Sequence, residues 1–227
     1  MGQDNIPMEG MAPSENTNTD QNRELILPNS FTIHKQAESE TKFNVRGNPG
    51  SSPLSIVCSY KNNEDDFEAA VVLQTDTGEN ARPLAAVYYS RHSATLELNN
   101  TTPTTPISMR YQLLGDRNAV HQFSIDLSVP TSFEWKNTGD GTGWKLFMIS
   151  RPEEILATGV LNMGSDKPPR FELTNLDVAN ELGEKWKLAA IASWIRIWDK
   201  VRIQFARAPD EGEAELALFS CGFCVIL

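Results

Sequence analysis

The stretch GEKWKLAAIASWIRIWDKV, residues 183–201, has a different pattern from the sequence that precedes it. It holds three of the chain's five tryptophans and no proline, and its apolar residues recur at spacings of three and four, the period of an α-helix. Those residues are Trp186, Ala190, Ile191, Trp194, Ile197, Trp198 and Val201. Because Leu188, Ala189 and Ile195 widen the apolar surface to most of the circumference, the pattern predicts a helix that protein encloses on all sides.

The same stretch does not have the composition of a membrane span. A transmembrane helix needs roughly 20 consecutive, mostly uncharged residues. Here the apolar residues are interrupted by Lys187, Arg196, Asp199, Lys200 and Arg202. We therefore expect a protein-buried helix over residues 183–200, with VRIQF, residues 201–205, either closing a sheet as a strand or extending the helix.

Residues 25–173 show the rhythm of an antiparallel β domain, in which short apolar runs alternate with turn-forming residues. Eleven runs have the composition of strands: SFTIHK, LSIVCSY, EAAVVLQT, LAAVYYS, ATLEL, ISMRYQLL, HQFSIDLS, SFEWK, GWKLFMIS, ILATGVL and RFEL. Together with the late helix they predict a mainly β fold, a closed antiparallel barrel of about twelve strands around a buried C-terminal helix. The barrel domain should span residues 25–207, and Cys58, in LSIVCSY, should be a buried strand residue.

A family resemblance rests on this layout and on two short aromatic patterns. These are the F-x-W of Phe133 to Trp135 and the W-K-L of Trp144 to Leu146. With the late helix, they make residues 25–207 resemble the tubby C-terminal-like superfamily, which includes tubby proteins, phospholipid scramblases and LURP-one-related proteins. The resemblance implies a roughly twelve-stranded barrel and, as in tubby proteins, recognition of phosphoinositide head groups by surface lysines and arginines. It carries over no individual head-group residue.

The formal charge of −10 is concentrated in the two ends of the chain. Five acidic residues against one basic residue give residues 1–24 a net charge of −4, and this polar segment is predicted to be a disordered leader. Residues 208–227 carry four acidic residues and no base, and are predicted to be an acidic linker and tail. The intervening body is nearly neutral, so we expect no nucleic-acid partner. MGQDNIPMEG also lacks the features of a signal peptide, which predicts a cytosolic chain with reduced cysteines.

No motif makes a positive case for catalysis. TDTG, residues 75–78, contains the triplet of aspartic proteases, but the second copy that their chemistry needs is missing, so it is interpreted as a hairpin turn. His34, His92 and His121 lie far apart and suggest neither a zinc site nor a catalytic triad. GDGTG, residues 139–143, precedes a strand rather than a helix and is interpreted as a hairpin loop. We expect no enzyme activity, metal or cofactor.

Basic residues are concentrated near the two ends of the predicted helix: Arg170, Lys185, Lys187, Lys200, Arg202 and Arg207. If they meet at the surface they would attract anionic lipid head groups, phosphoinositides among them, at about 1 kcal/mol for each adjacent base. The alternative is that they are ordinary solvated ends of a helix.

The stretch FSCGFCVIL, residues 219–227, carries the pattern that prenyltransferases recognise. Cys224 is followed by two aliphatic residues and Leu227, a C-a-a-X box whose leucine favours a geranylgeranyl group. Because one prenyl chain anchors a protein only reversibly, Cys221 is predicted to carry a palmitoyl group, as the paired cysteines do in the prenylated small GTPases that this tail resembles. The alternative is that the tail packs against the barrel.

These observations lead to three competing functions. The leading hypothesis is a non-enzymatic, lipid-anchored barrel on the cytoplasmic face of the plasma membrane or an endomembrane, with an unmodified cytosolic pool. The second is a membrane-tethered adaptor whose barrel binds another protein. The third is a lipocalin-like carrier of a small apolar ligand, or a barrel enzyme with a ligand in its interior. The late helix argues against the third hypothesis, because its tryptophans would fill the space that a ligand needs.

Overall fold

The computed structural model describes residues 25–63, 66–75, 81–90, 94–99, 106–114, 118–139 and 142–207. In that part of the chain twelve strands form one closed barrel. Each strand pairs in antiparallel fashion with the next along the chain, and β1 closes the barrel by pairing with β12. The predicted fold class is therefore confirmed.

The strands are β1 Ser30–Lys35, β2 Lys42–Gly47, β3 Leu54–Asn63, β4 Asp66–Thr75, β5 Arg82–Tyr89, β6 Ala94–Leu98, β7 Ile107–Leu114, β8 Asn118–Asp126, β9 Pro130–Asn137, β10 Gly143–Met148, β11 Arg151–Val160 and β12 Arg170–Leu173. All eleven predicted runs form strands. The sequence analysis missed β2, because Phe43 and Val45 are its only inward apolar side chains and polar residues alternate with them.

The antiparallel order gives the barrel two distinct ends. Connections that follow even-numbered strands lie at one end and connections that follow odd-numbered strands lie at the other. The helix α1, Leu176–Arg207, follows the even-numbered strand β12. It therefore begins at the end that holds the connections after even-numbered strands, which we name the entry end. Its last turns lie at the opposite, exit end, where Phe205 approaches Gly164 of the β11–β12 connection.

The helix consists of two helical segments joined at Gly183, whose φ of 80° and ψ of 179° are not helical. Asn175 caps the first segment by accepting a hydrogen bond from the Val178 amide, 3.2 Å away. The predicted start at residue 183 therefore coincides with the kink, and the structure adds a short segment before it. VRIQF extends the helix and does not form a strand. Among the described residues, no helix is long and apolar enough to cross a membrane.

The longer segment of α1 runs through the middle of the barrel. Trp186, Trp194 and Trp198 are at most 2% exposed, and strands cover all three. Trp186 lies against Phe133 of β9, and Trp198 makes an edge contact with Phe43 of β2 at a centroid distance of 4.9 Å. These contacts come from opposite sides of the barrel, which confirms the predicted internal helix.

The closest approach of α1 to the wall requires a glycine at position 159. A β-carbon added to Gly159 would lie 1.7 Å from Nε1 of Trp194. The indole cannot retreat, because Phe31 and Phe171 hold it at centroid distances of 5.7 and 5.8 Å. Gly159→Ala should therefore destabilise the barrel by about 3 kcal/mol, the upper part of the usual range for overpacking, measurable by denaturant unfolding.

A double-mutant cycle provides the control for Gly159→Ala. In a Trp194→Phe background the added methyl group has room, so the cost of Gly159→Ala should fall by more than half. An alanine cost that is the same in both backgrounds would show that the tryptophan contact does not explain this glycine.

Candidate functional site

Two arginines flank a threonine on the outer face of the barrel. Thr32 of β1 is directly opposite Arg46 of β2 and, on its other side, opposite Arg170 of β12. All three residues alternate with buried neighbours, so they point outward. With neighbouring strands about 4.8 Å apart, the two arginine backbones are about 10 Å apart, and their long side chains can reach a common anion between them.

This row borders a depression of about 340 Å³, whose polar lining is completed by Ser30 and Asn48. Arg170 is paired with Glu172 at 2.7 Å, whereas the side chain of Arg46 is exposed and forms no hydrogen bond or ion pair with the described residues. Burial, and after it the charge of Arg46, lowers the pKa of His34, which exchanges a hydrogen bond of 2.9 Å with Thr32. The row thus presents two guanidinium groups and one hydroxyl group to a ligand, the donor set that suits a phosphate.

The surrounding wall is also basic. Lys42 points outward from β2 itself, and Lys145 of β10 and Lys136 of β9 point outward two and three strands beyond β12. Glu134 pairs with Lys136, and Glu172 pairs with Arg170. Bases therefore outnumber acids on this wall, although the chain as a whole is acidic.

A second depression, of about 430 Å³, lies on the wall formed by β3 to β6. Its charged lining residues are Lys61 and Glu68, which are opposite each other in neighbouring strands and carry opposite charges. The second depression therefore has no excess of positive charge to attract an anion, and the row of Arg46, Thr32 and Arg170 is the stronger candidate.

The sequence analysis identified Arg170 but missed Arg46. Arg46 belongs to β2, the strand that was not predicted, and only strand register brings it alongside Arg170, more than 120 positions away in the sequence. The alternation of polar and apolar residues in KFNVRG was the available signal, because it places Arg46 on the solvent face of a short strand.

The structure does not bring the six predicted bases together. Lys185 and Lys187 lie just after the kink of α1, toward the entry end. Lys185 donates to the carbonyl of Asp126 at 2.9 Å, and Lys187 pairs with Glu184 at 3.0 Å. Arg170 lies on the outer wall, as the first residue of β12.

The other three predicted bases lie in the last two turns of α1 or at its end. Lys200 lies over the ring of Tyr111, 4.6 Å from its centroid, and Arg202 binds an internal carboxylate. Arg207 is the last residue of the helix. Lys200 follows Lys187 by thirteen positions, which separates the two groups by roughly 20 Å along the axis.

The carboxylate that Arg202 binds is Asp199, which is fully buried inside the barrel. It accepts hydrogen bonds from the hydroxyl groups of Tyr60 and Tyr89 at 2.7 and 2.6 Å and from Nη2 of Arg202 at 2.8 Å. The thiol of Cys58 lies 3.5 Å from the same carboxylate. This cluster fastens α1 to β3 and β5 near the exit end.

None of the groups around Asp199 is prepared for proton transfer at neutral pH. Burial, followed by the charge of Asp199, raises the pKa of the Cys58 thiol to about 12 and also raises the pKa values of Tyr60 and Tyr89. Cys58 is therefore a protonated, buried thiol, as the sequence predicted, and a poor nucleophile. The cluster is best explained as structural.

A second polar contact inside the barrel joins Arg196 to His121, Nη1 to Nδ1, at 3.0 Å. Because guanidinium only donates, Nδ1 of His121 is the acceptor and Nε2 carries the proton of the neutral ring. Burial, followed by the charges of Arg196 and Lys200, lowers the pKa of His121 well below its usual value. His121 is thus a neutral core residue.

Several predictions concern residues outside the described part of the chain. These are the leader, residues 1–24, the two predicted lipidation sites, Cys221 and Cys224, the hairpin turn in TDTG and His92. Among the described residues, no group of three or more histidine, cysteine, aspartate or glutamate side chains is arranged to hold a metal ion.

The comparison with known proteins identifies no relative from which a role for these residues could be taken. No family model, no curated protein and no solved structure matches the chain.

Proposed function

We propose that this chain is a non-enzymatic barrel module that a geranylgeranyl group on Cys224 tethers to the cytoplasmic face of a membrane. Its outer wall binds the phosphate of phospholipid head groups. The proposed binding of head groups rests on one observation, the row of Arg46, Thr32 and Arg170 beside a depression of about 340 Å³.

The chemistry of the row supports a phosphate ligand. Guanidinium groups form paired, charge-assisted hydrogen bonds to phosphate oxygens. The hydroxyl group of Thr32 between them can donate one more when Nε2 of His34 carries the ring proton and donates to it. The basic wall around the row would attract an anionic surface even before these short-range contacts form. A depression on the outer wall also suits a head group that projects from a bilayer, because the lipid tails need no pocket in the protein.

The packed interior argues against the carrier hypothesis. Side chains of α1 from Trp186 to Val201 fill the lumen, and Trp194 touches the wall so closely that residue 159 has no room for a side chain. An apolar ligand would have to displace the helix, whose Asp199 is held to the wall by the hydroxyl groups of Tyr60 and Tyr89.

Vesicle flotation of the full chain from bacteria, which do not prenylate it, tests the head-group site. Wild type should float with vesicles that contain phosphatidylinositol bisphosphate, and Arg46→Ala together with Arg170→Ala should weaken this binding up to about 30-fold, at about 1 kcal/mol for each base. Arg46→Ala alone should account for most of the loss, because Arg170 is already paired with Glu172.

The matched control is Arg82→Ala with Arg110→Ala, two exposed bases on β5 and β7. This pair should leave flotation within about twofold of wild type. Competition by soluble inositol trisphosphate would identify the head group as the ligand, whereas competition by inorganic phosphate alone would indicate a site for free phosphate. Equal losses in the two double variants would refute the site.

A further inference from the structure

Of the six large apolar side chains exposed in the described part of the chain, four lie at the entry end of the barrel. These are Ile26, Val129, Ile149 and Leu176, which are between 42% and 66% exposed. Each occupies a different connection at that end: the segment before β1, the β8–β9 turn, the β10–β11 turn and the start of α1. We name these four residues the apolar rim.

The four connections follow one another around the barrel. The amide of Ile149 donates to the carbonyl of Ser132 in β9, at 2.9 Å, which places the β10–β11 turn beside the strand that follows Val129. The amide of Leu173, just before α1, donates to the carbonyl of Asn29 at 2.7 Å, which joins the start of the helix to the segment that holds Ile26. The four residues of the apolar rim therefore lie along one arc of neighbouring connections.

The length of the arc suits a helical segment. Val129 lies between β8 and β9 and Ile26 lies just before β1, so the arc crosses between four and five strands. At about 4.8 Å for each strand this is about 22 Å, the length of a helix of about 15 residues. Such a helix presents apolar side chains at every third or fourth position, a spacing that matches separate contact points along an arc.

The charges around the arc decide between possible occupants. In the turns and strand ends that border the arc, and in the first part of α1, six acidic residues lie against three basic ones. The acidic residues are Asp126, Glu153, Glu154, Asp177, Glu181 and Glu184, and the basic ones are Arg151, Lys185 and Lys187. This net charge of −3 repels an anionic bilayer and the acidic leader of this chain, and it attracts a basic partner.

We propose that the apolar rim docks a basic amphipathic helix of another protein. The apolar face of that helix packs on Ile26, Val129, Ile149 and Leu176, and its lysines or arginines face the surrounding carboxylates. The site lies at the end where α1 enters, while the row of Arg46 and Arg170 lies on the outer wall. The two surfaces consist of different residues and are tested separately.

The probe is a fluorescent peptide of about 15 residues made of leucine and lysine, with leucines at positions i, i+3, i+4 and i+7. Anisotropy with the full chain should show saturable binding. The triple variant Val129→Ser, Ile149→Ser and Leu176→Ser should weaken that binding at least tenfold, with no change in melting temperature because all three side chains are exposed. The control variant Tyr88→Ser with Val160→Ser, which removes the two exposed apolar side chains of the barrel wall, should bind like wild type.

A scrambled peptide of the same composition distinguishes docking from simple charge attraction. It should bind at least tenfold more weakly than the patterned peptide. Equal binding of the two peptides, or equal binding by wild type and the triple variant, would overturn the proposal. So would sedimentation showing that wild type forms a dimer that the triple variant loses, because the rim would then be occupied by a second copy of this chain.

Discussion

Ala190→Asp should lower the stability of the barrel by about 3–5 kcal/mol, the largest effect expected of any substitution considered for the described residues. Ala190 is fully buried in the middle of α1, where strands cover the helix on every side. A carboxylate there loses its hydration inside the core, and Lys187, one turn earlier, is already paired with Glu184. At 2–4 °C for each kcal/mol in a domain of this size, the melting temperature should fall by roughly 10–15 °C.

Ala206→Asp is the matched control, because Ala206 lies near the end of the same helix and is exposed. Both variants replace alanine by aspartate in the same helix, so a difference of several kcal/mol between them reports burial, because helix propensity contributes less than about 1 kcal/mol. We expect Ala206→Asp to melt within about 2 °C of wild type, the usual range for a surface substitution. If Ala190→Asp also melts like wild type, the internal-helix account of this fold is wrong.

Cys224→Ser should move the protein from membranes to the soluble fraction when it is expressed in cells that prenylate proteins. A geranylgeranyl group contributes about 0.8 kcal/mol for each carbon that it buries in the bilayer. The two arginines of the outer row contribute only about 1 kcal/mol each, so the lipid should dominate membrane attachment. The melting temperature should stay unchanged, because residue 224 lies beyond the end of α1.

Cys221→Ser provides the graded control for Cys224→Ser. It leaves the prenyl chain in place and removes only the proposed palmitoyl group, so the protein should remain partly membrane-bound or move to another membrane. Membrane pelleting of Cys224→Ser at the wild-type level would contradict a lipid tether and assign attachment to the barrel. Unfolding of Cys224→Ser would instead assign the tail a structural role.

The fold could be predicted because two periodicities dominate the sequence. Strand alternation is clear in runs such as HQFSIDLS, and the period changes once, at residue 183, where the structure has the kink of α1. The sequence pattern did not predict β2 or the first segment of α1. β2 has only two inward apolar side chains, and the first segment is exposed along much of its length, so neither has a strong apolar period.

The polar contacts inside the barrel could not be predicted, because they depend on closure. In the sequence, Arg196, Asp199 and Arg202 are charged interruptions of an apolar helix. In the structure, Asp199 is bound by Tyr60 and Tyr89, which precede it by 139 and 110 positions. A local sequence pattern does not indicate contacts between residues so far apart in the chain. The resulting cost of burying charge is offset by hydrogen bonds from strands that only the closed barrel brings near.

The row of Arg46, Thr32 and Arg170 could not be predicted in full for the same reason, because it also depends on strand pairing. Arg170 was identified from the concentration of bases near the helix, but its neighbour Arg46 depends on the closure of β12 against β1 and of β1 against β2. The apolar rim is similar, since its four residues are isolated apolar positions in four separate connections. Isolated exposed apolar residues are common, and only topology shows that these are neighbours.

The proposal that the chain is a lipid-tethered module is tested most directly by the intact mass of the protein purified from cells that carry protein prenyltransferases. The account predicts a geranylgeranyl group on Cys224, loss of Val225, Ile226 and Leu227, and, in part of the population, a palmitoyl group on Cys221. A mass equal to that of the unmodified chain through Leu227 would contradict the tether.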